Sequence, residues 1–179
     1  MSEFISDIEA IRQRARTHMK DGAVTKANQS DRIAVIKVLN DVLATEIVCV
    51  LRYKRHYYMA SGLSSESVKS EFLEHAQEEQ AHADAVAERI TQLNGEPDLN
   101  PASLVDRSHS EYVEGKTLID MLKEDLVAER IAIESYGEVI RWLGERDPTT
   151  RRLMEQILEK EEEHAEDLAT LLEGMDDTL

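Results

Sequence analysis

Four stretches of the chain place side chains at alternating steps of three and four, and each is apolar at its ends and charged near its middle. The first runs Ile36, Leu39, Leu43, Glu46, Val50, Tyr53, Tyr57, and the second Phe72, His75, Glu79, His82, Val86, Ile90, Leu93. The third runs Leu122, Leu126, Glu129, Ile133, Tyr136, Ile140, Leu143, and the fourth Met154, Ile157, Glu161, His164, Leu168, Leu171. Side chains so spaced line one face of a helix and meet a partner there. Each seam is therefore a buried one, interrupted by a carboxylate that nothing apolar can satisfy.

Helix punctuation frames the same four stretches. Ser30 or Asp31 caps the first, which runs toward Gly62; the second starts near Ser65 and stops at Asn94, Gly95 and Pro97. The third spans from about Lys116 to Gly144, and Asp147 caps the fourth with Pro148 at its first helical position and Gly174 at its end. A shorter amphipathic helix, from about Phe4 to Met19, comes first. Helices of this size are on the order of 40 Å long. Short joints make two antiparallel hairpins, and the residues from Gly95 to Gly115 are enough to cross the length of the bundle between them. The expected fold is all-α: a four-helix bundle with one long crossover and an extra N-terminal helix. Residues 1–30 form the N-terminal helix and linker, 31–174 the bundle, and 175–179 a short tail.

Charge narrows the partners. A net charge of -16 repels a phosphate backbone, so DNA is not an expected partner and cations are. One segment departs from this: Arg12, Arg14, Arg16, Lys20, Lys26, Arg32 and Lys37 face only Asp21 and Asp31, which reads as a solvated face or, alternatively, a DNA- or partner-binding one. The only cysteine, Cys49, can form no intrachain disulfide and no four-cysteine iron centre, and reads as a packing residue. No run of apolar residues is long enough for a membrane span, and no leader pattern opens the chain. A cytoplasmic protein without membrane contact is expected.

An ionised carboxylate in a core costs several kcal/mol unless it is paired, and four that converge also repel one another. No Lys or Arg shares the seams with them, so metal is the natural counter-charge: four Glu and two neutral His balance two divalent ions. Glu79 and His82, and again Glu161 and His164, are three residues apart, which puts each pair on one helix face. Glu46 precedes Glu79 by 33 residues and Glu129 precedes Glu161 by 32. Glu46 and Glu129 lie 83 apart, as do Tyr53 and Tyr136, while His82 and His164 lie 82 apart. The hairpin looks duplicated, with two half-sites about a pseudo-twofold axis.

The stretches "LATEIVCVLRY", "EEQAHADAVAERITQLNGEP", "LVAERIAIESY" and "EKEEEHAEDL" resemble the ferritin-like superfamily, in particular bacterioferritins and Dps-like ferritins, over about residues 31 to 174. The resemblance implies a ferroxidase centre with two Fe per subunit. In it Glu46 and Glu129 are terminal ligands, Glu79 and Glu161 bridge, and His82 and His164 complete one iron each. It also implies Tyr53 beside the centre, and the matched Tyr136 is expected to hydrogen-bond to the site as well. Gln80 stands where bacterioferritins carry their haem methionine, so no haem is expected. No fifth helix is expected after the fourth, and an extra one is expected before the first. That favours a dodecameric homo-oligomeric shell, with 24 subunits as the alternative.

The function so implied is storage and detoxification of iron, with Fe2+ oxidised by O2 or H2O2. The alternatives are a non-storage di-iron or iron-manganese peroxidase or oxidase, a Dps-type DNA protector using the basic segment, and a metal-free bundle. His75 reads as a satisfied bundle histidine, with a part in admitting iron as the alternative. Glu74 and Glu78 read as a solvated face or as mineral-nucleating carboxylates.

Overall fold

The computed structural model describes residues 7–62 and 65–176, and these form helices joined by turns. They are α1 (Ile8–Ala15), a 3-10 turn (Met19–Asp21), α2 (Arg32–Met59), α3 (Ser65–Gln92), α4 (Leu104–Arg107), α5 (Leu118–Leu143) and α6 (Pro148–Asp176). The four long helices are the bundle. α1 is shorter than its sequence pattern suggests, no side chain of it is buried, and the expected start at Phe4 lies outside the described residues.

Local chemistry sets the helix ends. Asp31, not Ser30, caps α2 by accepting from the Ala34 amide at 3.2 Å. A reciprocal box closes the start of α5, where Thr117 and Asp120 each bond the other's backbone amide. Gly144 ends α5 at φ 54, a conformation that suits a residue without Cβ. Gly95 answers a different demand: a Cβ there would stand 2.9 Å from Ile36, so the turn after α3 could not pack against α2. α6 runs through Gly174 to Asp176 instead of stopping at the glycine.

Asp147 does more than cap α6. Its carboxylate accepts from the Thr150 amide at 3.1 Å and hydroxyl at 2.6 Å, from Arg89 of α3 at 2.9 Å and from the Asn28 amide at 3.1 Å. Burial alone would raise its pKa, but these donors hold it below the ordinary aspartate value. One side chain thus ties α3, α6 and the N-terminal segment together.

The crossover lies along α2 in the direction of that helix. Asn40 holds the Glu96 carbonyl and the Asp98 amide, Arg107 returns to the Asn40 carbonyl at 2.7 Å, and Thr45 accepts from the His109 amide at 2.9 Å. Further on, Arg52 donates to the Glu111 carbonyl at 3.1 Å, and the His56 ring meets the Glu114 carbonyl at 3.0 Å. Between Asn40 and His56 the helix rises about 24 Å. The strap therefore returns the chain to the far end of α2, and α5 starts there and runs antiparallel to α2.

Among the described residues, the two larger apolar cores fill the bundle. One contains Leu39, Leu43, Val86, Ile90, Leu143 and Met154; the other contains Val68, Phe72, Met121, Leu122 and Leu168. Burying each such large side chain contributes about 1.5–3 kcal/mol. Between the two cores lies a polar layer.

Candidate metal centre

The polar layer holds all six residues that the seams single out. Glu46, Glu79, Glu129, Glu161 and His164 are at most 1% exposed, and His82 is only slightly more open. They arrive from the middles of the four long helices: Glu46 from α2, Glu79 and His82 from α3, Glu129 from α5, and Glu161 and His164 from α6. Donor atoms of Glu46, Glu79, His82 and Glu161 lie within 4.8 Å of one another, and so do those of Glu79, Glu129, Glu161 and His164. Glu79 and Glu161 belong to both groups.

Among the described residues, the buried side-chain N and O atoms without any hydrogen-bond partner are Glu46 Oε2, Glu79 Oε1, His82 Nδ1, Glu129 Oε2, Glu161 Oε1 and His164 Nδ1. That is one atom from each of the six. Leaving a buried acceptor unmade costs about 1–3 kcal/mol, more for a charged group. A cation between them would satisfy all six together, and carboxylate oxygens with imidazole nitrogens suit a divalent first-row ion. The donor set fits a pair of metal ions sharing the two central glutamates.

The remaining atoms of the six are held in place. Tyr53 on α2 donates its hydroxyl to Glu129 Oε1 on α5, and Tyr136 on α5 donates to Glu46 Oε1 on α2. The two bonds are reciprocal between antiparallel helices, as a pseudo-twofold axis requires. His164 Nε2 lies 2.7 Å from Glu78 Oε2, which turns Nδ1 toward the carboxylates. Partners of this kind orient ligands and raise their basicity.

Charge in the cluster is unevenly carried. Burial raises Glu79 well above the ordinary glutamate range, with Glu161, Glu46 and Glu129 adding to it; burial and then Glu46 and Glu129 do the same to Glu161. Burial would also raise Glu46, but the Tyr136 hydroxyl and the neighbouring His82 and Glu79 side chains bring it below the usual value. Without metal, burial and mutual repulsion thus favour the protonated form of these two central carboxyls.

A second buried group flanks the layer. Arg52 and Asp125 are both 0% exposed, with Arg52 Nε 2.7 Å from Asp125 Oδ1 and His56 Nδ1 2.8 Å from Oδ2. Arg52 Nη2 lies 3.6 Å from Cys49 Sγ. Seam reading misses this cluster because its members sit beside the seams. At the 83-residue repeat, Arg52 corresponds to Ser135 and Asp125 to Val42, so the pair exists only on the side where the crossover passes.

Residues 36–177 match the ferritin-like domain family, and the chain belongs to it. It is 29% identical over 156 residues to a bacterioferritin of Desulfovibrio desulfuricans, covering 84% of this chain and 83% of that protein. It is 31% identical over 144 residues to a DNA protection during starvation protein of Pyrococcus furiosus, covering 78% of this chain and 77% of the other. Among solved structures, a dodecameric thioferritin, the bacterioferritin-related protein of Bacteroides fragilis, superposes with a TM-score of 0.80 at 30% identity. That superposition covers 84% of this chain and 90% of the other. Dps from Thermosynechococcus elongatus, at 22% identity and a TM-score of 0.74 over 78% of this chain and 90% of its own, shares the fold. Among the described residues no helix is long and apolar enough to cross a membrane.

Proposed function

We propose that the protein is an iron-storage and detoxification ferritin that oxidises Fe2+ at the buried Glu/His layer. The observation that carries this is the set of six orphaned atoms, one per residue, in two groups joined through Glu79 and Glu161. In this reading Glu46 and His82 hold one Fe2+, Glu129 and His164 the other, and Glu79 and Glu161 reach both. Bound as substrate, each Fe2+ gives up one electron to O2 or H2O2.

The chain's own part is to position and to exclude. Tyr53 and Tyr136 fix the outer carboxylates, and Glu78 orients His164. The protons held at Glu79 and Glu161 leave when cations arrive, so loading is favoured as pH rises. The two apolar cores close the layer above and below. Gln80 is exposed on α3 with its amide donating to Asp84 at 3.0 Å, and it offers no thioether to a haem iron, so the proposed protein works without haem. A homo-oligomeric shell, dodecameric by likeness to the Bacteroides fragilis protein, would hold the ferric product.

The test is to load metal-free protein with excess Fe2+ and either oxidant, then count iron in the particle that elutes from size exclusion. Retention of tens of irons per chain in a large particle supports storage. A count that stops at the few ions the ligands themselves can hold refutes it and leaves a non-storage di-iron oxidase or peroxidase.

A further inference from the structure

His75 stands beside the dinuclear layer without belonging to it. It is 1% exposed, and its ring stacks on His164 with centroids 4.0 Å apart. Nδ1 lies 3.2 Å from the Tyr53 hydroxyl oxygen. Tyr53 has one proton and donates it to Glu129, so its oxygen can only accept, and Nδ1 must be the nitrogen that carries hydrogen. In a neutral imidazole the other nitrogen then presents a bare lone pair.

That nitrogen lies beside carboxylates. Nε2 lies 3.3 Å from Glu71 Oε1 and 3.9 Å from Asp167 Oδ2, and among the described residues no hydrogen bond reaches it. Three acceptors thus face one another with no donor between them, and donor atoms of Glu71, His75 and Asp167 all lie within 4.8 Å of one another. Burial, Asp167 and Glu74 together raise Glu71 above the usual glutamate value, as an uncancelled cluster would.

Packing does not call for these residue types. At the 82-residue repeat that relates Glu79 to Glu161 and His82 to His164, Glu71 corresponds to Leu153, His75 to Ile157 and Asp167 to Ala85. In the other half of the bundle the same three positions are apolar, and Ile157 is in the core. The three polar residues thus occur together in one half only.

We propose that Glu71, His75 and Asp167 form a third divalent-cation site, at the solvent side of the dinuclear centre. One imidazole and two carboxylates suit Fe2+, Mn2+ or Co2+, with water completing the sphere. Asp167 and Glu71 are partly exposed, so an ion can arrive from solvent, and the stacked ring of His164 is the next ligand inward. The site loads the inner pair; that role rests on the dinuclear reading, whereas binding at the third site does not.

The experiment is anomalous diffraction from crystals soaked in Co2+, a probe that O2 does not readily turn over, with equilibrium dialysis in solution alongside. Wild type should show a peak at Glu71, His75 and Asp167 besides the two inner ones. Glu71→Gln/Asp167→Asn should lose that peak, keep both inner ones, drop by one Co2+ per chain and fill the inner pair several-fold more slowly. No peak at the three residues in wild type, or one that survives the double substitution, overturns the proposal. Inner peaks missing while the third persists would overturn the dinuclear reading and leave this one standing.

Discussion

Arg52→Met tests whether the ion pair beside the site holds the fold as its geometry implies. The guanidinium is fully buried, bonds Asp125 at 2.7 Å and the Glu111 carbonyl at 3.1 Å, and stands 3.6 Å from Cys49 Sγ. Methionine keeps much of the length and none of the charge. Removing one partner of a buried pair costs about 3–5 kcal/mol, because the other charge is left uncompensated. In a chain of 179 residues each kcal/mol moves the midpoint by about 2–4 °C, so Tm should fall by roughly 6–20 °C. Arg52→Met/Asp125→Asn removes the stranded charge while leaving an oxygen for His56 to meet, and should recover all but about 1–3 kcal/mol. The assay is thermal and urea unfolding of the four proteins of the cycle at one chain concentration, so that any self-association is held constant. A single variant within about 1 kcal/mol of wild type, or a double variant no better than the single, would refute the reasoning.

Three further outcomes follow from the same layer. Tyr53→Phe and Tyr136→Phe strip the hydroxyls from Glu129 and Glu46, and each should weaken metal affinity about 10–100-fold by titration without lowering helix content by circular dichroism. Glu79 and Glu161 have folded pKa values above their unfolded ones, so their stabilising contribution is complete below 4.5 and is lost as pH rises through the folded values. Glu46 is shifted the other way, and its contribution is already complete above that pH. In chelator, Tm should therefore fall as pH rises above 4.5, and Glu79→Gln/Glu161→Gln should flatten that slope; equal slopes would show that the two groups do not titrate as described. Cys49 is buried and its thiol is pushed up to about 12, so Ellman's reagent should leave it unmodified in native protein at neutral pH and modify it fully in denaturant.

How much of this was legible depended on whether a residue lay on a seam. Glu46, Glu79, His82, Glu129, Glu161 and His164 each break an apolar period, and the period alone places them at one level. Tyr53 was legible as a neighbour of the site but not by its partner. Seven residues along one helix is about 10.5 Å, too far to reach Glu46, so it crosses to Glu129 in the other hairpin. Arg52, His56 and Asp125 lie off the seams, and their burial depends on the path of the crossover, which no periodicity encodes. Gly174 misled for a simpler reason: a glycine inside a helix costs only about 1 kcal/mol, and α6 continues through it. His75 read as a satisfied bundle histidine, with a part in admitting iron as the alternative; its Tyr53, Glu71 and Asp167 neighbours appear only in three dimensions.

The central claim is that six side chains, one orphaned atom each, act as one dinuclear centre. Stopped-flow oxidation of Fe2+, supplied at two per chain, measures this most directly in wild type, Glu79→Ala and His82→Ala. The account predicts a fast phase in wild type that disappears in both variants while helix content and elution volume stay the same. A fast phase of unchanged rate in both variants would contradict it.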